Sequence, residues 1–309
     1  MSIKNKLILQ WIFALLILAL LFWRIDLHRF AEAFQYSEMH LYVPLALAFV
    51  TACFLVESQN LMALLNLFGH PVSFKEMRLI RGTTYLLMVI NYNIGMGGLI
   101  WYLKKHKDIP VFRGSSMLFF YYFVDSVGIA FFASLGAILM NSKGVLFYNI
   151  SIIAGIACFI YIALFLVYRF LPEKGLWGKI KNLELVRVFN EVTVDIFFKI
   201  FFLRGCYFGV FIVFFYFGLQ TFNIHIPLIP LISLVPVVFF FANLPVTPFG
   251  IGTAQAAMCF LFQDYGTAEN LLAFSVIYST TLLVLRAPIG LLYLQKNTFN
   301  YKEITQTGS

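Results

Sequence analysis

Charge is scarce in this chain: Asp, Glu, Lys and Arg make up 12% of its 309 residues, about half the share of a soluble domain. With 61% of residues hydrophobic and a mean hydropathy of +0.87, polar surface is too limited to cover a water-soluble fold. The surrounding solvent is therefore lipid. Cysteine is sparse as well. Cys53, Cys158, Cys206 and Cys259 each lie alone in an apolar run without CxxC spacing, which fits packing residues better than a disulfide or metal site. Five histidines (His28, His40, His70, His106 and His225) fall outside the apolar runs or near their ends, with no HxxxH or HxE pairing. No GxxxxGK[ST] segment occurs either. The chain thus reads as a non-enzyme with no metal and no cofactor of its own. A net charge of +8 would suit nucleic acid, but the basic residues lie in short segments between apolar runs, as topology determinants do. No nucleic-acid partner is expected.

Long apolar runs are what the chain has in quantity. Leu7–Trp23, Leu41–Phe68 and Gly114–Met140 are each near the ~20 residues that a helix needs to cross a bilayer. Only helices satisfy their own backbone there without closing a barrel. The expected fold is an all-α polytopic bundle in a single transmembrane domain, with six full spans at 7–23, 41–65, 115–140, 147–170, 196–219 and 269–295. The first run follows Lys4 and Lys6, carries Trp11 and Trp23 and lacks a small-residue cleavage site, as a retained signal anchor does. Residues 1–40 would be that anchor and an outer loop, 41–170 a first half, and 196–296 a second half.

Two segments are too broken to be straight spans. Ile226–Gln263 contains Pro227, Pro230, Pro236, Pro245 and Pro248, then Gly250 and Gly252. Its arms, 228–242 and 253–263, reach only ~17–22 Å, short of a crossing. It is expected to form a re-entrant hairpin over 228–263. The stretch Gly82–Leu103 is interrupted by Asn91-Tyr-Asn-Ile-Gly-Met-Gly-Gly98 and flanked on both sides by basic clusters. A full crossing would put one cluster outside, against the positive-inside rule, so a hairpin over 82–103 is expected to dip from the cytoplasm. Seventeen of the 22 Lys and Arg residues then lie inside, while Arg24, Arg29 and Lys143 lie outside. Both termini are cytoplasmic in this scheme, in a cell's inner membrane. Residues 172–195 alternate apolar and charged positions at roughly helical spacing, as an amphipathic helix on the inner leaflet or a connector packed on the bundle would.

Each half now holds one broken hairpin, inserted from opposite faces. Interrupted segments in matching positions of an inverted repeat point to a transport pathway. Gly and Pro turns at membrane depth also free backbone groups that only protein or a water-filled cavity can satisfy. Helices leaving near Gly97, Gly98, Gly250 and Gly252 would aim positive N-terminal ends at an anionic headgroup. The alternative is close helix packing through small residues. Within the spans, Glu57, Asp125, Arg204 and Arg286 each cost at least ~2.5–3.5 kcal/mol to bury. Asp125 and Arg286 are the expected partners, and Arg204 has room to snorkel. Asn60 lies beside Glu57. Asn91, Asn93, Asn243, Pro245 and Gln255 complete the polar and turn residues of the hairpins, as backbone partners or ligand contacts.

The segment Asn91–Gly98, the basic cluster after it and Asp125 in the next span resemble one half of the lysylphosphatidylglycerol synthase transmembrane (flippase-like) family. Asn243-Leu-Pro-Val-Thr-Pro-Phe-Gly-Ile-Gly-Thr-Ala-Gln255 resembles the other half. The likeness runs from about Leu41 to Lys296. It implies that the chain translocates or binds an amphiphilic lipid, anionic or built on glycerol or a polyprenyl chain. Many members carry an acidic residue where this chain has Leu99 and a Glu where it has Gln255, which argues against proton coupling or a cationic headgroup. Ending at Ser309, the chain would leave synthesis of the lipid to a partner enzyme. Two other classes stay open: a scaffold for a lipid synthase, and an intramembrane lipid-modifying enzyme with Asp125 as a lone base. A homodimer is compatible with the sequence.

Overall fold

The uninterrupted apolar runs become long helices, because no strand edge is tolerated in hydrocarbon. The computed structural model describes residues 3–306 except 24, 91, 141–144, 171–180, 182, 245, 248 and 249, with the backbone alone for 3–9, 89, 90, 92, 93 and 296–306. In chain order the described helices are α1 (Ile3–Trp23), α2 (Leu27–Gln35), α3 (Met39–Leu67), α4 (Phe74–Ile90), α5 (Tyr92–Lys107) and α6 (Val111–Leu139). They continue with α7 (Val145–Phe170), α8 (Val194–Gln220), α9 (Leu228–Asn243), α10 (Thr253–Leu261) and α11 (Ala268–Gln306). No strand occurs among the described residues. Five helices, α3, α6, α7, α8 and the part of α11 up to Gln295, are long and apolar enough to cross a membrane. A sixth span results if Gln10–Trp23 and Leu27–Gln35, bent by 93°, count as one. After that bend, Asp26 caps α2 by accepting the His28 and Arg29 backbone N–H groups.

Two of the long helices stop at residues in left-handed backbone. After α3, Gly69 (φ +79°) donates to the Asn66 carbonyl and His70 to that of Leu65. Asn223 (φ +59°) and Ile224 do the same after α8, to Gln220 and Leu219.

The chain forms two compact units. The first consists of Met1–Phe49, Ile129–Cys158 and Phe208–Leu282. Its core is aromatic: Phe49 stacks on Phe214 with centroids 4.0 Å apart, and Phe215, Phe274 and Tyr278 pack edge and face beside them. Here α6 and α9 touch through their backbones. A Cβ on Gly136 would stand 2.4 Å from the Ser233 nitrogen, and Ser233 donates its hydroxyl to the Ala133 carbonyl at 2.8 Å. Such small-residue contacts are how helices associate where lipid removes the hydrophobic drive.

The second unit consists of Val50–Gly128, Phe159–Tyr207 and Leu283–Ser309. Leu61, Leu64, Met77, Ile80, Phe120, Val124, Val188 and Ile200 belong to its buried core. It contains the α4–α5 hairpin, and this differs from the expected one. The first arm begins at Phe74 rather than Gly82, and Gly95, Gly97 and Gly98 lie inside α5 rather than in the turn. Asn91, between the two arms, lies outside the described residues. A Cβ on Gly95 would meet the Met88 side chain at 2.1 Å and one on Gly98 would meet Leu87 at 2.4 Å. These two glycines serve close packing of the arms. At the open end of the hairpin, Glu76 and Lys107 pair at 2.6 Å.

Of the expected amphipathic segment 172–195, residues 172–180 and 182 lie outside the described residues. The remainder is a turn and a short 3-10 helix, Arg187–Asn190, with Val188 and Phe189 buried. It is a packed connector held by polar bonds. Arg113 grips Glu191 with two bonds of 2.6 Å, Ser116 accepts the Val188 N–H, and Tyr168 donates to the Val186 carbonyl. The bond from Arg113 holds the Glu191 carboxyl below its ordinary pKa. A lowered folded-state pKa stabilises above the unfolded value and is lost as pH falls through the folded one. Because Glu191 is 44% exposed, solvent screens the pair and the contribution stays under about 1 kcal/mol. Thermal unfolding between pH 7 and pH 3 is expected to show Glu191→Gln less stable than wild type at pH 7. The gap should close below about pH 4, as the wild-type carboxyl protonates. A gap that persists at pH 3 would contradict the pairing.

Candidate functional site

Within the second unit, the charged side chains that α3, α4, α6 and α8 bury form two ion pairs. Each long-helix position comes with an aromatic or polar neighbour one turn away: Glu57 with Asn60 on α3, Arg81 with Tyr85 on α4, Tyr121 with Asp125 on α6, Arg204 with Tyr207 on α8. Spacings of three or four residues place both members on one helix face.

Glu57, 6% exposed, pairs with Arg81 and accepts the Tyr85 hydroxyl at 3.2 Å. Arg81 also donates to the Met96 sulfur of α5 and lies 5.3 Å from the Tyr85 ring. The second pair is Asp125 with Arg204, joined by two bonds, the one from Nη2 being 2.6 Å long. Arg204 donates a third bond to the Tyr121 hydroxyl at 2.6 Å and stacks over the Tyr207 ring at 4.4 Å. Paired, hydrogen-bonded and ring-covered, these charges meet the conditions under which burial is tolerated. The pairs are linked through their neighbours: Asn60, one turn from Glu57, donates to the carbonyl of Leu203, which precedes Arg204. The fifth charge is Arg286 on α11. It is half-buried over the Tyr85 ring at 5.7 Å, and no carboxylate among the described residues lies within ion-pair reach.

Several expectations change here. Asp125 pairs with Arg204, not with Arg286. Arg204 does not snorkel, being 2% exposed, because its three donors find partners at depth. Arg81, counted with the cytoplasmic cluster of Lys75 and Arg78, is 1% exposed. Its signal in the sequence was its place in the apolar run Leu79–Ile90, one turn before Tyr85. Asn60 donates to the Leu203 carbonyl at 3.2 Å and leaves its own buried Oδ1 without a partner.

The hairpin residues divide by unit. In the second unit Gly97 is exposed with no atom within 4 Å of an added Cβ, and Leu99 is 1% exposed in the core. Asn91 lies outside the described residues, as does the side chain of Asn93. In the first unit Asn243 is exposed and caps its own helix by donating to the Phe239 carbonyl. Pro245 lies outside the described residues. Gly250 (φ +68°) and Gly252 (φ +91°) hold left-handed backbone. Gln255 is 2% exposed: its Oε1 accepts the Gly252 N–H at 2.6 Å and its Nε2 donates to Ser279 at 3.0 Å. It fixes the start of α10 and ties it to α11.

Chemically, the cluster offers guanidinium groups, carboxylates and phenols at membrane depth, a set suited to an anionic group and to exchange of ion-pair partners. A family model of the lysylphosphatidylglycerol synthase transmembrane region matches residues 7–290. A comparison with curated proteins found no match.

Proposed function

The chain belongs to the lysylphosphatidylglycerol synthase transmembrane family, and from that premise we propose that it moves a lipid with an anionic headgroup between the leaflets of an inner membrane. Membership carries a membrane lipid-related role for a multi-pass helical protein. The observation that carries the proposal is the imbalance of the buried cluster: Arg81, Arg204 and Arg286 face only Glu57 and Asp125. With all five ionised, one positive charge is in surplus, and Arg286 is the cation with no carboxylate in ion-pair reach among the described residues. A phosphodiester headgroup would supply the missing negative charge and accept two bonds from the guanidinium fork.

In this reading the α4–α5 and α9–α10 hairpins are re-entrant elements of an inverted pair, one reached from the cytoplasm and the other from outside. Leu99 and Gln255 carry no charge, so coupling to protons at those two positions is not part of the mechanism. This reading needs no covalent step from the chain and pairs it with an enzyme that makes the lipid. A scaffold for that enzyme is the second reading, favoured by the closure of both ion pairs to solvent.

Membrane-impermeant thiol labelling tests the opposed hairpins in a protein lacking Cys53, Cys158, Cys206 and Cys259. Gly97→Cys and Asn243→Cys occupy exposed positions and leave the tight Gly250 turn untouched. Labelling of position 97 from inside and of 243 from outside is expected. Labelling of both from the same face would remove the opposed arrangement.

A further inference from the structure

Between the end of α3 and the start of α8, within the second unit, runs an open groove of about 660 Å³. That size falls in the ~300–1,000 Å³ range of small-ligand sites. Its walls include Ala63, Leu67, Phe198 and Phe202, and the two phenylalanines are 61% and 71% exposed. On α8 the contributing positions 195, 198, 199, 202 and 203 follow the 3.6-residue period of one face. Both helices are apolar enough to cross a membrane, so this face is solvated by lipid. One turn from the apolar walls the groove turns polar, at Asn66, Asp195 and Lys199. Asp195 and Lys199 form an exposed i,i+4 pair at 2.7 Å. Exposed pairs of this kind hold each other weakly, so either member is free to take another partner.

We infer that this groove binds a zwitterionic phospholipid, an acyl chain along Ala63, Leu67 and Phe202, with its phosphate on Lys199 and its ammonium on Asp195. Charge complementarity selects the headgroup. A purely anionic lipid would meet the Asp195 carboxylate, and a cationic one the Lys199 ammonium, whereas a headgroup bearing both charges satisfies both. The site is separate from the surplus cation at Arg286 and holds whether or not the chain translocates lipid. It touches the buried cluster from behind: Leu203, which lines the groove, accepts the Asn60 amide and precedes Arg204. An occupied groove therefore backs the α3–α8 contact that positions the Asp125–Arg204 pair.

The test is native mass spectrometry of the detergent-purified full chain after adding equal amounts of dioleoyl phosphatidylethanolamine and dioleoyl phosphatidylglycerol. In an Arg286→Gln background, where the contact proposed for an anionic headgroup is absent, the protein is expected to retain the ethanolamine lipid about fivefold over the glycerol lipid, the scale of one exposed ionic contact. Asp195→Asn should bring the two near parity. Ala63→Trp, which adds bulk to the groove lining, should in the same background abolish retention of both while the protein elutes as a single species. Asp195 and Lys199 are exposed, so Asp195→Asn and Lys199→Gln test the headgroup contacts even if Ala63→Trp fails to fold. Equal retention of the two lipids in the Arg286→Gln background, or an unchanged preference in both charge variants, would overturn the site.

Discussion

Arg204→Leu is expected to destabilise the protein by about 3–5 kcal/mol, the cost of leaving a buried charge without its partner. The charge left behind is Asp125, 8% exposed, which loses both of its guanidinium bonds at once. Tyr121 loses its donor too. At roughly 2–4 °C per kcal/mol for a chain segment of this size, the melting temperature in detergent should fall by roughly 10 °C. The double variant Asp125→Leu/Arg204→Leu should recover most of that loss, since replacing a whole buried pair by apolar groups is often neutral or stabilising. The pair of variants therefore separates two roles. If the double variant folds but no longer moves lipid, the ion pair serves the pathway. If it folds and moves lipid at the wild-type rate, the pair is architectural. A single variant as stable as wild type would contradict the buried contact itself.

The second large effect is expected at Gly250. Its φ of +68° lies where a β-branched residue is strained, and an added Cβ would stand 2.4 Å from the Ala242 carbonyl oxygen. Neither neighbour can yield, because the contact is backbone. Gly250→Val should cost about 3 kcal/mol or more from strain and overpacking together. The loss would appear as a lowered melting temperature and as faster thiol labelling of Cys259, in the last turn of the helix that the Gly250 turn leads into. Gly97→Ala is the contrast: with open space around it inside α5, it should be stabilising by about 0.5–1 kcal/mol through helix propensity. Equal effects at the two positions would show that the glycines are interchangeable spacers, against the geometry described.

Hydrophobic run length made the helical membrane fold readable, because twenty apolar residues have few other solutions. Five expected spans match α3, α6, α7, α8 and α11 to within a few residues at most ends. The arms of the proline-rich hairpin were equally visible, since Pro and Gly act locally on the backbone. The glycine-rich hairpin was placed less well. Its glycines signal close approach of two helices as readily as a turn, and at Gly95 the approach to Met88 is what they serve. Pairing in the buried cluster was the hardest part to read. Depth along a span says which charges are buried, but the partner of Asp125 depends on how α6 and α8 rotate against each other, and no single helix records that. Arg81 illustrates a further ambiguity: beside Lys75 and Arg78 it looks like part of a topology signal, although its helical face is shared with Tyr85. Gln255 was recognised as a departure from an acidic position. Its part in closing the α10 turn followed only from the meeting of Gly252, Gln255 and Ser279.

The most direct test is lipid translocation in proteoliposomes containing acyl-labelled fluorescent phosphatidylglycerol, read by dithionite bleaching of the outer leaflet over time. Wild type should carry label between leaflets faster than protein-free vesicles. Arg286→Gln should slow it at least about tenfold, the loss of one charge-assisted contact of about 1.5–3 kcal/mol, while Arg286→Lys keeps part of the rate. Wild-type protein no faster than empty vesicles, or Arg286→Gln as fast as wild type, would contradict the assignment of the surplus cation to an anionic headgroup.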